Sequence, residues 1–487
     1  MTPVRSISLV LVVAMLAGCA SMRGIETRAT ARDANALASS RALGGASVTD
    51  AAWPATDWWK TFGDPQLDGL IDEALRQSPT LNIAAARTRK AVAAADAGRA
   101  ALSPRIDASA SSTRERFSEN GLVPPPFGGT TQTVNQLQAT LSWELDFWGR
   151  NRSAYEAALG AARAAEIDAQ AARLALSTAL AQAYVQLQRA YLQLDVVNAT
   201  LQSRERIATL TRDRNAAGID SRLEVKQAEA ALPATREQIA ALEERIALTR
   251  NQIAALMGAG PDRGLAIVRP SARALASVAL PSNLPADLLG RRPDIVAQRW
   301  RIEAARKEIA SAKAQFYPDV NLLAFVGLQS LGGVNLLTAA SRMVGAGPAV
   351  TLPIFDAGRL RAQLAGRDAD FDIAVEQYNQ GLADAMREVV DQLVSFRSLD
   401  EQRRQQQAAA AITREAYDLA LLRYREGLGN YLQVLSAEQP LLAQQSLDAD
   451  LHARALELSI NLVRALGGGF EPSQSAASLS MTTGNSR

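Results

Sequence analysis

The residues with the widest chemical repertoire are scarce in this chain of 487 residues, which has one cysteine, Cys19, and one histidine, His452. A metal site built from thiolate and imidazole ligands needs several such residues, and a disulfide needs two cysteines. Both features are excluded within one chain. Acid and hydroxyl chemistry stays open, but no motif supports it. We therefore expect no catalytic site, no bound metal and no dissociable cofactor.

Cys19 ends an amino-terminal segment that is typical of a signal peptide. Residues 1–18 carry one positive charge and an apolar run over residues 7–17. That run is shorter than the roughly 20 apolar residues of a membrane-spanning helix. Its end, Leu16-Ala17-Gly18-Cys19, resembles the lipobox of bacterial lipoproteins. The resemblance implies cleavage before Cys19, a covalent lipid on Cys19 and, because Ala20 follows, an outer-membrane destination.

Composition narrows the remaining classes of protein. Hydrophobic residues make up 48% of the chain but aromatic residues only 5%, which favours closely packed helices over an aromatic-rich core. The net charge is +2, from 52 basic and 50 acidic residues, and gives no reason to expect nucleic acid as a partner. After the signal peptide no uninterrupted apolar stretch reaches about 18 residues. If the mature chain enters a membrane, it must do so with strands.

The strongest internal signal is a duplication, because landmark residues recur at a nearly constant distance. The distance is 214 residues for two proline pairs and 209 for two later glycine pairs, so the first copy has five extra residues between them. These pairs are Pro79 and Pro293, Pro104 and Pro318, Gly149 and Gly358, and Gly218 and Gly427.

Each copy reads as a helix, a strand pair, a long helix, a turn and a second long helix. The opening helices are predicted from about Leu67 to Leu102 and from about Asp294 to Phe316. Apolar residues in the long helices repeat at spacings of four and three, the pattern of coiled coils. The first such series is Leu180, Tyr184, Leu187, Tyr191 and Leu194; the second copy has Leu382, Met386, Val389, Leu393 and Phe396.

The length of these helices indicates where they lie. The 69 residues between Gly149 and Gly218 would span roughly 100 Å as a continuous helix. A bilayer core is only about 30 Å thick, and the polar helix faces forbid contact with lipid. The helices must therefore cross an aqueous space, which for an outer-membrane lipoprotein is the periplasm.

The strand pairs have a different period. Residues 136–147 alternate between apolar and polar side chains, as expected of a membrane strand that faces lipid on one side and water on the other. Trp143, Phe147 and Trp148 fit an interfacial aromatic girdle. Taken alone, the segment also fits an amphipathic strand of a soluble sheet. Weaker strands are predicted over residues 105–116, 320–328 and 350–355, with outer loops over 117–132 and 330–343.

The number of strands bears on assembly. Four strands cannot close a barrel, and open edges are not tolerated in lipid. Eight strands, from two chains, enclose only side chains, whereas twelve strands, from three chains, leave an open lumen. The predicted fold is therefore mainly α with a membrane β-barrel: a trimer in which duplicated strand hairpins form a 12-stranded barrel on a coiled-coil helical tunnel.

Several motifs resemble those of one known family. They are Trp58-Trp59-Lys60-Thr61-Phe62-Gly63-Asp64-Pro65-Gln66-Leu67, Arg291-Arg292-Pro293-Asp294-Ile295, Phe316-Tyr317-Pro318 and Leu352-Pro353-Ile354-Phe355-Asp356-Ala357-Gly358-Arg359. With the lipobox and the duplication, the chain is similar over nearly its whole mature length to TolC-like outer membrane factors, in the branch of lipidated efflux proteins called NodT and OprM. The motifs are specific as a set and not singly.

The resemblance implies a homotrimeric, passive exit duct of a tripartite efflux pump for drugs or other small toxic compounds. It also implies three partners: a periplasmic adaptor protein, a proton-driven transporter of the inner membrane, and outer-membrane lipid. The expected organisation has an equatorial region flanking two structural repeats. Its segments are 1–18 (signal peptide), 19–66 (acylated segment and equatorial region), 67–257 (first repeat, strand pair about 105–147, helix pair about 149–257), 258–290 (equatorial linker), 291–466 (second repeat, strand pair about 319–355, helix pair about 358–466) and 467–487 (tail).

The resemblance assigns the two helix turns to the periplasmic tip, where the tube closes at rest and meets the adaptor. The predicted tip residues are Gly218, Ile219, Leu223, Gly427, Leu428 and Leu432. Related channels carry a ring of aspartates near this end, but the matching positions here hold Gln433 and Ser436. A carboxylate ring could instead come from Glu224 or Glu438, and replacing both by glutamine should then alter cation selectivity.

Two other functions fit parts of the sequence. A type I protein secretion channel would use the same architecture. A structural lipoprotein whose coiled coils bridge the layers of the envelope would explain the helices and the lipid anchor. The structural lipoprotein leaves the amphipathic strands and the duplication unexplained.

Overall fold

A computed structural model of the chain describes residues 21–33, 53–273, 290–332 and 335–471. The signal peptide, Cys19 and most of the predicted tail lie outside the described residues, as do parts of both equatorial segments. The chain divides into two compact units. The strand-bearing unit comprises Met1–Ala31, Arg87–Ala165 and Ala297–Tyr378; the helical unit comprises Arg32–Ala86, Glu166–Val296 and Asn379–Arg487.

The duplication is visible in the order and length of the elements. The two long helices α3 and α7 have 67 residues each, and the helices that follow them, α4 and α8, have 36 and 35. The elements are α1 (Pro65–Gln77), α2 (Pro79–Ala100), β1 (Arg105–Arg116), β2 (Thr131–Glu144), α3 (Arg150–Ala216), α4 (Arg222–Met257), α5 (Pro261–Leu265), α6 (Pro293–Ala314), β3 (Asp319–Leu331), β4 (Arg342–Thr351), α7 (Arg359–Arg425) and α8 (Tyr431–Ala465), with short 3-10 helices at Trp58–Phe62 and Ala339–Ser341.

The prediction of one helix from about Leu67 to Leu102 is wrong, because the structure has a break between α1 and α2. Ser78 ends α1 in an extended conformation, with φ −61° and ψ 128°. The ring of Pro79 disfavours helical geometry in the residue before it, which accounts for the break. Pro79 and Pro293 start helices at corresponding positions of the two copies.

The four strands form one antiparallel sheet in the order β1-β2-β3-β4. The predicted strand over residues 350–355 is wrong, since β4 starts at Arg342 and ends at Thr351. Pro353 cannot donate to a ladder, and the segment leading to α7 leaves the sheet just before it. Pro348 is tolerated because, among the described strands, β4 pairs only with β3 and is an edge strand.

The register aligns apolar side chains from all four strands on one face. Leu137, for example, lies opposite Ala110 of β1 and Leu328 of β3. The same face continues through Ile106, Ala108, Ala139, Leu141, Trp143, Ala324, Val326, Val344 and Ala346. The opposite face carries Gln136, Gln138 and Thr140, which are hydrogen-bonded along β2. The opposite face is not uniformly polar, because Leu323 and Phe325 of β3 lie beside Ser142 and Thr140 of β2.

The helical unit has its main core where α1, α3, α4 and α8 pack around the aromatic residues of the first 3-10 helix. Trp58, Leu180 and Tyr184 are almost fully buried there, together with Ile253 and Leu456. A second cluster joins Met386, Val389 and Leu393 of α7 to α8. The heptad pattern assigned Leu180, Tyr184, Met386, Val389 and Leu393 to the coiled-coil core.

In the strand-bearing unit, the segment that follows Cys19 lies along α7. Met22 and Ile25 pack on an apolar cluster that includes Leu364. The Asp372 carboxylate accepts hydrogen bonds from the backbone N–H of Arg28, at 2.9 Å, and from the next residue. The chain is thus attached to α7 within a few residues of the predicted lipid. Over the described residues, no helix combines the length and apolar character needed to cross a bilayer.

A close approach between β3 and β4 tests the register of the sheet. Phe325 of β3 lies opposite Gly345 of β4, and a Cβ on Gly345 would lie 2.6 Å from two atoms of the Phe325 ring. Gly347, two residues along the same face, has open space around its Cβ position. Neither glycine has a positive φ, so an alanine is not strained by the backbone at either position. The two positions differ in the space available to an added Cβ.

We expect Gly345→Ala to lower the free energy of unfolding by about 1–3 kcal/mol, because the Phe325 ring must move out of its rotamer. The matched variant Gly347→Ala should change it by less than about 0.5 kcal/mol. Urea unfolding of the protein in lipid vesicles measures both. Equal effects of the two substitutions would show that Phe325 does not pack on Gly345.

Candidate functional site at the helix turns

Two tight turns join α3 to α4 and α7 to α8. Gly218 and Gly427 both have φ 76°, the left-handed conformation that glycine adopts without a steric penalty. The N–H of Ile219 donates to the carbonyl of Arg214 at 2.9 Å. In the second copy, the N–H of Leu428 donates to the carbonyl of Arg423 at 2.8 Å. These bonds satisfy carbonyl groups that a helix end leaves without partners.

The next helices begin with side-chain caps. The Ser221 hydroxyl accepts from the Leu223 N–H at 3.1 Å, and the Glu224 carboxylate accepts from the Ser221 N–H at 2.9 Å, forming a capping box. In the second copy the Asn430 side chain accepts from the Gln433 N–H at 3.0 Å. The turn geometry is thus determined locally, by glycine and by caps.

The four predicted apolar tip residues are all exposed. Leu428 is the most exposed, at 72%. The others are Ile219, Leu223 and Leu432. Leucine and isoleucine gain free energy when buried, so a cluster of them at two turns provides an apolar contact surface for a partner.

Behind this apolar surface lies a buried polar network that the sequence analysis missed. The Arg214 guanidinium pairs with the Asp220 carboxylate at 3.0 Å, and both side chains are less than a tenth exposed. Arg214 also donates to the Tyr424 carbonyl at 2.7 Å, and its charge lies 4.5 Å from the centre of the Tyr424 ring. The Tyr424 hydroxyl donates to Asp220 at 2.6 Å. The network ties the first turn to α7.

The environment changes the ionisation of both acidic groups in this network. Burial raises the pKa of the Asp220 carboxyl, but hydrogen bonds from Arg214 and Tyr424 and the Arg214 charge outweigh it and hold that pKa below its usual range. Burial, followed by the hydrogen bond to Asp220, raises the pKa of the Tyr424 hydroxyl to about 12. At neutral pH, Asp220 is therefore charged and Tyr424 carries its proton.

A second buried cation lies further along the same helices. The Arg204 guanidinium donates to the Glu438 carboxylate at 2.8 Å and, through another nitrogen, to the Thr235 hydroxyl at 2.8 Å. Arg204 thereby joins α3 to both α4 and α8. Each of those helices contains an internal proline nearby, Pro233 and Pro440.

The structure corrects the proposed role of Glu438. This side chain is only 4% exposed and is paired with Arg204 of its own chain, so it does not supply an exposed carboxylate to a ring. Glu224 is half-buried near the first turn and bonded to Ser221. Gln433 and Ser436 are exposed on α8. Two of the four candidate constriction residues are acidic. Of these two, Glu224 lies at a turn and makes no ion pair among the described residues, whereas Glu438 is paired with Arg204.

A sequence signal for the missed network exists in the duplication itself. Asp220 corresponds to Gly429 at the distance of 209 residues, and Tyr424 corresponds to Asn215. Two of the three network residues are therefore positions at which the copies differ, whereas Arg214 corresponds to Arg423. A comparison of the copies for differences would have singled out Asp220 and Tyr424 but not Arg214.

The family-like motif at Gly63-Asp64-Pro65 also acquires a structural role. The Asp64 carboxylate caps α1, accepting from the Gln66 N–H at 2.9 Å, and accepts from the Tyr184 hydroxyl at 2.8 Å and the Ser271 N–H at 2.7 Å. Asp64 thus joins α1, α3 and the chain after α5. In a second family-like motif, at residues 291–295, the Arg292 guanidinium is buried and pairs with Asp294 and Glu388. Over the described ranges, no three His, Cys, Asp or Glu side chains group as metal ligands would.

Comparison with known proteins identifies relatives over most of the chain. The family model for outer membrane efflux proteins matches residues 70–259 and 284–468. The fusaric acid resistance protein FusA of Burkholderia cepacia is 41% identical over 358 residues, 73% of this chain and 67% of FusA. The multidrug resistance outer membrane protein MdtP of Escherichia coli K12 is 34% identical over 432 residues, 87% of this chain and 88% of MdtP.

A solved structure gives the same result for the fold. The outer membrane protein VceC of Vibrio cholerae matches with a TM-score of 0.81 and 38% sequence identity. The match covers 86% of this chain and 100% of the VceC chain. Both units of this chain are therefore included in a fold already observed in an outer membrane protein.

The Asp220 carboxyl predicts an acid-sensitive turn. Its folded-state pKa is lowered, so it contributes stability above its unfolded value of about 3.9, and this contribution is lost as the pH falls through the folded value. We expect hydrogen-exchange protection of residues 214–221, corrected for intrinsic rates, to be constant from neutral pH to about pH 4 and to fall below it. Asp220→Asn should remove that dependence. If the variant keeps the same acid transition, another group controls the turn.

Proposed function

The chain belongs to the outer membrane efflux protein family, and we propose that three copies assemble into the exit duct of a tripartite efflux pump. Family membership makes the chain an efflux channel of the outer membrane. The observation that carries the trimer is the sheet. β1 and β4 each lack a second neighbour among the described strands, and such edges cannot stay unpaired in lipid. Pairing β4 of each copy with β1 of the next closes twelve strands around a lumen.

For the cargo we propose drugs or other small toxic compounds. The relatives are named for resistance to fusaric acid and to multiple drugs, which favours small molecules over the proteins of a type I secretion channel. A purely structural lipoprotein would not need a sheet with one continuous apolar face. The duct itself acts passively, and the free energy for transport comes from its partners.

The proposed partners are a periplasmic adaptor and, through it, a proton-driven transporter of the inner membrane. The exposed apolar residues Ile219, Leu223, Leu428 and Leu432 are the proposed contact with the adaptor, because burying them on a partner gains free energy. The network of Arg214, Asp220 and Tyr424 lies behind that contact. It is the proposed lock that keeps the turns together at rest.

We also propose that Cys19 carries the covalent lipid. The supporting contacts are those of the segment just after it: the Arg361 guanidinium donates to the carbonyls of Ser21 and Arg23, the latter at 3.1 Å. An acyl group on Cys19 would therefore be attached close to the first turn of α7. Several acyl chains together hold a protein firmly in a membrane, whereas one binds weakly.

Single-channel current in a planar bilayer tests the duct and the lock together. We expect purified, acylated trimers to give discrete steps, and the double variant Tyr424→Phe/Asp220→Asn to open more often or to a larger conductance because the first turn loses its bonds to α7. Tyr417→Phe, which removes a hydrogen bond between α7 and Ser203 away from the turn, is the matched control. Verified trimers that stay silent even with the double variant would rule out the channel.

Glu224 predicts a separate, smaller effect. If three Glu224 carboxylates surround the entrance, Glu224→Gln should lower the cation-to-anion permeability ratio measured from reversal potentials in a salt gradient. Glu438→Gln should not act on this ratio directly, because Glu438 is buried against Arg204. An unchanged ratio in the Glu224 variant would remove it as the selectivity determinant while leaving the duct intact.

A further inference from the structure

A cavity of about 330 Å³ lies in the strand-bearing unit, where the strands pass into the long helices. The end of β2, the residues between α6 and β3, the end of β4 and the first residues of α3 and α7 all contribute to its lining. This volume is within the range of about 300–1,000 Å³ that is usual for small-molecule sites. None of the functions proposed above uses it.

Aromatic residues form one side of this cavity. The Trp148 ring stacks on the Tyr317 ring with centroids 4.7 Å apart and an interplanar angle of 18°. The Trp148 Nε1 donates to the Pro318 carbonyl at 2.8 Å, which holds the indole in place. Phe147 is 68% exposed beside it. Tryptophan and tyrosine are enriched where a membrane meets water. Trp148 follows β2 and Tyr317 precedes β3, so both lie next to strands whose apolar face suits lipid.

The charged residues of the cavity divide into a paired and an unpaired group. The Arg150 guanidinium pairs with Glu144 and, less closely, with Asp319 at 3.8 Å. The Asp146 carboxylate caps α3, accepting from the Asn151 and Arg152 N–H groups at 3.0 and 2.9 Å. The three carboxylates of the lining are those of Glu144, Asp146 and Asp319. Asp319 has the weakest contacts of the three, because its ion pair with Arg150 is the long one.

Arg359 is the cation that remains available. In the part of the chain that the structure describes, it makes no ion pair, and its one side-chain hydrogen bond goes to the Gln363 amide oxygen at 3.2 Å. The Tyr317 hydroxyl, also in the lining, has no hydrogen-bond partner among the same residues. A guanidinium and a phenol donor on one cavity suit a phosphate group.

We propose that this cavity binds the head group of a zwitterionic aminophospholipid of the surrounding membrane. The phosphate accepts hydrogen bonds from Arg359 and Tyr317, and the ammonium group donates to Asp319. The glycerol and the upper acyl chains lie against Phe147 and Trp148. With three carboxylates and two guanidiniums in its lining, the cavity has one surplus negative charge. That surplus favours a head group with an ammonium over a free anion or an anionic lipid.

The test uses the full-length acylated protein in nanodiscs of equal parts phosphatidylethanolamine and phosphatidylglycerol. Lipid that stays bound after transfer to detergent is counted by native mass spectrometry. We expect about one phosphatidylethanolamine per chain and little phosphatidylglycerol. Arg359→Gln should reduce the retained lipid at least tenfold. Arg152→Gln, which removes an exposed arginine outside the lining, should leave it unchanged.

Two further variants separate the parts of the site. Asp319→Asn should abolish the preference for phosphatidylethanolamine over phosphatidylglycerol while some phospholipid is still retained. Arg359→Lys keeps the charge and should retain most of the bound lipid, which distinguishes loss of the phosphate contact from loss of folding. Assembly of every variant is verified by its migration as an oligomer.

Three outcomes would overturn the proposal. Equal retention of both lipids by the unmodified protein would remove the ammonium contact. Displacement of the lipid by millimolar inorganic phosphate would identify a free-anion site. Phospholipid that binds only in the Cys19→Ser variant, which cannot be acylated, would show that the chain's own lipid fills the cavity. Each of these results leaves the channel activity of the protein untouched, so the proposed duct is tested separately.

Discussion

The constraint on which the rest of the molecule depends is the unpaired backbone at the two edges of the sheet that the four described strands form. An unpaired N–H or C=O in hydrocarbon costs several kcal/mol, so a chain with one apolar sheet face and two free edges is incomplete as a monomer. Assembly with other copies is therefore a condition for folding in the membrane. The duplication provides the four strands of this sheet, because each copy contributes one hairpin.

Much of this architecture could be predicted because it is periodic. The alternation in β2 and the spacing of four and three along α3 both report on which face is buried, and both patterns extend over many residues. The errors occurred where single prolines decided the outcome. Pro79 divides a helix that the apolar pattern continues, and Pro353 ends β4 early. A periodic pattern carries no information about such interruptions.

The polar network at the first turn could not be predicted in the same way. Arg214 and Tyr424 are separated by 210 residues, and their contact depends on how α3 and α7 lie side by side. Each residue alone looks like an ordinary exposed helix residue. The prediction for Glu438 failed for the same reason: its position near a turn suggested exposure, but Arg204 on a distant helix buries and neutralises it.

Buried ion pairs in an alanine-rich bundle have a further consequence. Small side chains offer little shape contrast, so helices packed through alanine could slide by a turn at low cost. A buried arginine tolerates no such shift, because breaking a buried pair costs about 3–5 kcal/mol, although replacing the whole pair by apolar residues can be neutral. Arg204 with Glu438 joins α3 to α8, and Arg292 with Glu388 joins the start of α6 to α7. Arg214, which pairs with Asp220 of the first turn, is bonded to Tyr424 of α7. We infer that these pairs select the register of the bundle more than they add to its stability. Because they add little stability, the turns can be held by bonds that can also be released.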